Sequence, residues 1–236
     1  MTAVPGSVRE PVWSDVVLWF ETIDAIVRGL GHGLNNRALA LGATIESMDP
    51  KRPVGQQLAS DLTRETERLA DQLRQLRALP FAIDREAMPL LLRDVLSVAI
   101  QLHHAHASLG EIPAYLEGSA ETPPVLVAES ALLHAVLVTL TALKAFAAPG
   151  GIVRITCSGS ADQAEVTFVA QRDPTDAHDA FTPRALIKPT ALTAALLSTA
   201  LLEIEQQIGR DAVTLIWTLP SLKAMRRRTR DVAAAR

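Results

Sequence analysis

The stretch Gly29-Leu30-Gly31-His32-Gly33-Leu34-Asn35-Asn36 lies inside a segment of helical periodicity that runs from Ser14 to about Met48. The apolar stripe of that segment is Ile23, Val27, Leu30, Leu34, Leu41, Ile45 and Met48, at spacings of three, four and seven. Such spacing predicts an amphipathic helix. Ser14 is its expected N-cap, with Asp15 in the first turn. At about 100° per residue, His32 falls about 200° from both Leu30 and Leu34. It therefore points away from the stripe and is expected in solvent. Gly29, Gly31 and Gly33 surround it, and each costs a helix about 1 kcal/mol relative to alanine. Local propensity is broken around one exposed imidazole, and conflicts of this kind often mark function.

Working outward, Asp49-Pro50-Lys51-Arg52-Pro53 reads as a turn, because two prolines stop helix propagation. A second helix is expected from about Val54 to Leu79, with the stripe Leu58, Leu62, Leu69, Leu73, Leu76 and Leu79. Its opposite face is charged: Asp61, Arg64, Glu65, Glu67, Arg68, Asp71 and Arg74. Two long helices joined by a short turn form an antiparallel hairpin. Two helices cannot enclose a core, so pairing of two hairpins into a dimeric four-helix bundle is expected.

Pro80 ends the hairpin. Helix is expected over Pro89–Ala107, strands over Ile112–Gly118 and Pro124–Ala128, and helix over Glu129–Ala147, closed by Pro149-Gly150-Gly151. Strands at Ile152–Cys157 and Ala164–Ala170 flank the turn Ser158-Gly159-Ser160-Ala161-Asp162. Asp173–Pro189 reads as a polar loop, Thr190–Ile208 as helix and Ala212–Leu219 as a last strand. This order predicts an α+β fold: a helical hairpin followed by a two-layer α/β sandwich, one mixed sheet with helices on one face. The expected division is an arm over residues 1–13, a hairpin over 14–80, an α+β domain over 81–220 and a basic tail over 221–236.

The 236 residues, 48% of them hydrophobic and 21% charged, suffice for a buried core and exclude a mainly disordered chain. Aromatics at 4% leave little for base stacking, and no nucleic-acid partner is expected. A single cysteine, Cys157, excludes a disulfide framework and points to a reducing, cytoplasmic setting. No stretch reads as a signal peptide or membrane span, so no membrane partner is expected. From Ser221 to Arg236 there are six bases against one acid, a local +5 in a chain of net −3, which leaves −8 elsewhere. That tail reads as a solvated, frayed terminus.

A neutral imidazole is a nucleophile, and an unperturbed one titrates near about 6.5. Glycines on either side would let a bulky partner approach it. The stretch His32-Gly33-Leu34-Asn35-Asn36 resembles the phosphoacceptor box of sensor histidine kinases, which reads His, then Asp or Glu, then Leu, then Asn-Asn or similar. The hairpin, the expected dimer and the α+β layer match that family's architecture over roughly residues 14–220. The resemblance implies that His32 carries a phosphoryl group and that Asn36 orients water or the partner's phospho-site.

The departures are equally informative. Gly33 replaces the acid that in the family polarises the imidazole for attack on ATP, and a missing general base costs about 10²–10⁴ in rate. The helix that should hold a metal-binding Asn reads Thr139-Leu140-Thr141-Ala142-Leu143-Lys144-Ala145. The strand that should lead into Asp-x-Gly-x-Gly gives Ala170-Gln171-Arg172-Asp173-Pro174, and Pro183–Ala195 has no glycine. Backbone amides of such loops cradle phosphates, so ATP binding is not expected. The resemblance then narrows to a histidine phosphotransferase relaying phosphoryl groups between aspartates of response-regulator receiver domains. No cofactor is expected on this chain, and Mg²⁺ would come from the receiver. Arg28, Asn35, Arg37, Asp61, Arg64, Glu65 and Arg68 are the expected partner contacts. Alternative readings are a non-catalytic binder of a response regulator and a receiver phosphatase using Asn36.

Other features carry less. His103, His104 and His106 lack an acid or cysteine to complete a metal set. His134 sits in an apolar helix and reads as a core residue. The three glycines are too closely spaced for a dinucleotide loop, and no Gly-x-Ser-x-Gly is present.

Overall fold

The computed structural model describes residues 13–48, 55–81, 86–118, 121–173, 190 and 192–234. The expected N-terminal arm, the turn at 49–53 and most of the loop at 173–189 lie outside the described residues. Helix α1 is Trp13–Glu46 and α2 is Gln56–Ala78. Ser14 thus already lies within the helix it was expected to cap. Strand β1 (Met88–Leu90), helix α3 (Leu92–His103), β2 (Ala114–Glu117), β3 (Val125–Val127) and α4 (Glu129–Ala147) follow. Then come β4 (Ile152–Gly159), β5 (Gln163–Gln171), a 3-10 turn Ser198–Ala200, β6 (Glu203–Ile208), β7 (Ala212–Pro220) and helix α5 (Leu222–Ala234).

The fold is α+β. Five strands form one mixed sheet in the order β2-β4-β5-β7-β6, with β2 parallel to β4 and the other pairs antiparallel. β1 and β3 form a separate antiparallel ribbon. Alternation sets the buried face: Val153, Ile155 and Cys157 of β4, Ala164, Val166, Phe168 and Ala170 of β5, and Val213, Leu215, Trp217 and Leu219 of β7. Helix α4 covers that face. It is apolar all round because it is covered all round, from Ala131 to Leu140 without a break. Among the described residues it is the helix long and apolar enough to cross a membrane, but here it is the central core helix.

Three expectations are corrected. Among the described residues, the helix expected over Thr190–Ile208 is helical at 190, at 192–196 and in the 3-10 turn, and no further. Leu201 then adopts φ 57°, which ends the helical path, and Glu203–Ile208 pairs along β7 as an edge strand. Its alternation of exposed Glu203 and Glu205 with half-buried Ile204 and Gln206 is a strand pattern. The basic tail is not a frayed end: residues 222–234 form α5. Finally, β1 occupies residues expected to begin α3.

The first half of α1 belongs to the α+β core. Ile23, Ile26 and Leu30 join one buried cluster with Leu96, Leu140 and Phe146. The Trp19 ring lies 3.4 Å from that of His134, and Ala107 N–H donates to the Ala25 carbonyl at 3.1 Å. Beyond Leu30 the helix leaves the core and runs beside α2, which has no buried residue.

Candidate functional site

His32 stands two residues past Leu30, the point where α1 leaves the core. Leu30 is 1% exposed, while Gly31 and His32 are both exposed. Asn36, one helical turn on, donates its side-chain N–H to His32 Nε2 at 2.9 Å. An imidazole that accepts at Nε2 carries its proton on Nδ1, and its Nε2 lone pair is the one held by the Asn36 amide. Arg28 is one turn before His32 and is held by Asp24, at the same four-residue spacing. The row Asp24, Arg28, His32, Asn36 therefore presents a carboxylate-held guanidinium, a nucleophile and an amide in register along one exposed helix face. Asn35 is exposed beside it.

Second-helix residues reach this row through Arg37. Its Nε donates to Gln72 Oε1 at 3.0 Å, and its second guanidinium nitrogen meets Glu65 Oε2 at 3.2 Å. Glu65 also accepts from Arg68 at 2.7 Å. Arg37, Glu65 and Arg68 thus form a chain of charge that ties α1 to α2. Arg64 and Asp61 pair with each other at 2.6 Å further along α2. The structure brings His32, Asn36 and Arg28 together and sets Arg37, Glu65 and Arg68 to one side as a hairpin clamp. Asp61 and Arg64 lie along the same helix as that clamp.

The glycines divide by what they touch. A Cβ on Gly29 would fall inside the Ala105 carbonyl, 2.8 Å from its carbon. One on Gly33 would meet the side-chain amide of Gln72, whereas around Gly31 there is open space to 4 Å. Two of the three glycines therefore serve the chain's own packing, and only Gly31 leaves room for a visitor. Sequence reasoning missed Asp24 and Gln72: the four-residue spacing of Asp24 to Arg28 was the signal for the first, and no local signal marks Gln72, which reaches Gly33 and Arg37 only through the hairpin's register.

Among the described residues His103, His106 and His134 are buried, and His104 is exposed. His103 and His106 are buried and stacked, with ring centroids 4.9 Å apart. His103 Nε2 and the Thr141 hydroxyl are 3.0 Å apart. Burial, followed by the Lys144 ammonium, lowers both imidazoles below the ordinary range. Burial lowers Lys144 to about 8 and His134 to about 4. His134 is a core residue, bonded to the Ser130 carbonyl at 2.9 Å. Among the described residues no group of three or more His, Cys, Asp or Glu could hold a metal. Burial pushes the Cys157 thiol up, away from reactivity. On the far side of α4, the buried Thr139 and Thr193 hydroxyls are 3.2 Å apart, so α4 and the helical residues 192–196 are in direct contact.

No family model matches this sequence, and no curated protein matches it. Solved structures match in chain path at low identity. A structure described as a bacterial phosphotransferase aligns at 14% identity with a TM-score of 0.47, covering 89% of this chain and 100% of that one. The Acinetobacter baumannii histidine kinase AdeS aligns at 14% identity with a TM-score of 0.43, covering 81% of this chain and 98% of that one. The histidine kinase ThkA, solved in complex with the response regulator TrrA, aligns at 13% identity with a TM-score of 0.43, covering 81% of this chain and 59% of that chain.

Proposed function

We propose that this chain is a cytoplasmic histidine phosphotransferase of a two-component phosphorelay, acting through His32 without binding ATP. One observation carries the reading: an exposed imidazole whose Nε2 is paired with the Asn36 amide, in a row with Arg28, on a helix braced from behind. In the reaction the Nε2 lone pair attacks the phosphorus of a partner's aspartyl phosphate. The P–N bond forms as the P–O bond to the aspartate breaks, and the carboxylate leaves with the electron pair. Asn36 gives up its bond to Nε2 and is left beside the transferred phosphoryl oxygens. Catalysis of such a transfer is mainly positioning. Mg²⁺ would be held by the partner receiver domain.

A further feature supports the dimer in this reading. The outer hairpin leaves apolar side chains uncovered, with Leu39 65%, Ile45 59% and Leu73 43% exposed. A second hairpin would cover them and form a four-helix homodimer.

The test is transfer from a panel of receiver domains phosphorylated on aspartate. The wild-type chain should acquire label that is acid-labile and base-stable, and His32→Ala should acquire none. Label that persists in His32→Ala, or no transfer from any receiver, refutes the relay.

A further inference from the structure

Helix α5 is fixed to the body at its first residue. Ser221 is fully buried, and its hydroxyl donates to the Ala161 carbonyl at 2.8 Å and accepts from Ala224 N–H at 3.2 Å. Ser221 N–H donates to the Asp162 carbonyl at 2.9 Å, and Leu222 N–H to that of Pro124 at 2.7 Å. These bonds lay the helix over the β4–β5 turn and Pro123-Pro124. There it walls a groove of about 520 Å³ lined by Pro123, Pro124, Lys223, Arg226, Arg227 and Arg230. The four basic positions recur at i, i+3, i+4 and i+7, so they share one face. Arg227 meets Asp162 at 3.1 Å. Among the described residues Lys223, Arg226 and Arg230 make no ion pair.

This charge does not serve the helix. The first turn of α5 has Lys223 and no acid, and its last turn has Asp231 and no base. That is the reverse of what a helix dipole favours. A sequence that sets cations against the dipole, on a helix nailed down by four nonlocal or capping bonds, holds them for something outside the chain.

We propose that this groove docks an acidic, partly apolar segment of a partner protein. Three unpaired cations at helical spacing match carboxylates repeating along one face of a helix. The proline floor offers apolar contact between them. A long polyanion fits less well, because the patch is one short helix on a body of net −8. The surface is also remote from His32: it lies at the Gly159–Ala164 end of β4 and β5. The loop that packs on α1 joins β4 at its other end, where Val153 N–H bonds the Pro113 carbonyl. A partner could hold this groove while His32 stays open.

The experiment uses the full chain and fluorescence anisotropy of a labelled helical peptide carrying Glu at i, i+3, i+4 and i+7 around a leucine stripe. Its Gln counterpart and a single-stranded DNA of equal charge are the competitors. The Glu peptide should bind, weaken with salt, and outcompete both. The triple variant Lys223→Ser, Arg226→Ser, Arg230→Ser should bind about tenfold more weakly. Arg226→Ser should weaken binding more than Arg228→Ser, which removes the same charge from outside the groove. No binding of the Glu peptide, tighter binding of DNA, or equal loss in Arg226→Ser and Arg228→Ser overturns the proposal. All variants alter exposed side chains, and circular dichroism checks that they fold.

Discussion

The three glycines around His32 should respond to alanine in three different ways. In an exposed helix interior, glycine to alanine stabilises by about 1 kcal/mol, because alanine loses less backbone entropy and needs no extra room. Gly31 has open space where the methyl would go, so Gly31→Ala should gain that amount. At Gly33 the obstacle is the far end of the Gln72 side chain, which can swing away. Doing so breaks its bond to Arg37, worth about 1 kcal/mol, and Gly33→Ala should be near neutral. At Gly29 the obstacle is backbone, the Ala105 carbonyl, in a segment tied to α1 by the Ala107–Ala25 bond. Relieving that clash means moving α1 off the loop. With overpacking at about 1–3 kcal/mol against a propensity gain of about 1, Gly29→Ala should lose up to about 2 kcal/mol. Urea unfolding at fixed protein concentration measures all three. In Tm the spread between Gly31→Ala and Gly29→Ala should reach several degrees, since about 1 kcal/mol moves a chain of this size by about 2–4 °C. Equal shifts at Gly29 and Gly31 would mean that α1 does not lie on the 104–107 segment, and His32 would not be placed as described. Gly31→Ala has a second use. A variant that is more stable yet slower in phosphoryl transfer would show that the open space serves an incoming partner.

Asn36→Ala should keep the fold and slow transfer by about fivefold, read in the same labelling assay as His32→Ala, because the amide left beside the transferred phosphoryl oxygens supplies one hydrogen bond there, worth about 1 kcal/mol. Stability should fall as pH drops from about 6.5 to about 4: the unfolded chain binds a proton at His134 that the folded chain, with that group lowered to about 4, refuses. His134 accounts for up to about 3 kcal/mol of that loss, and His134→Leu should lessen the fall of the urea midpoint across that window, the part left belonging to His103 and His106, which burial also lowers. Ile45→Glu with Leu73→Glu should weaken dimerisation on the order of a hundredfold in sedimentation equilibrium while leaving helix content unchanged. A wild-type chain that sediments as a monomer at every concentration would remove the four-helix bundle.

What the sequence makes legible is whatever rests on periodicity and local chemistry. Helix α4 was readable end to end because an apolar run after Glu129 meets Pro149-Gly150. The exposure of His32 followed from its angle to Leu30 and Leu34 alone. The hairpin and the mixed sheet followed from stripes and alternation. The misses share another cause. β1 is three residues long and contains Pro89, so it has no period to detect, and only pairing with β3 makes it a strand. β6 is polar, and Leu201-Leu202-Glu203-Ile204 fits a helix as well as a strand until the chain turns at Leu201. α5 is held by Ser221 reaching residues some sixty positions earlier, a contact that no local window contains.

The same distinction governs the site. His32 and Asn36 were visible because they are four residues apart on one helix, and that spacing is the bond observed between them. Arg37 also lay in the right place, but its partners Glu65 and Gln72 are on the other helix, and the hairpin's register decides that they claim it. The glycines reverse their first reading for the same reason. Their absent side chains matter chiefly for Ala105 and Gln72, groups at least 39 positions away. A nucleophile for a protein partner needs a free face and a fixed back. The sequence shows the free face of α1. The fixed back comes from close packing at Gly29 and the Arg37 clamp. Together they hold His32 two residues outside the core, exposed, on a helix packed from behind.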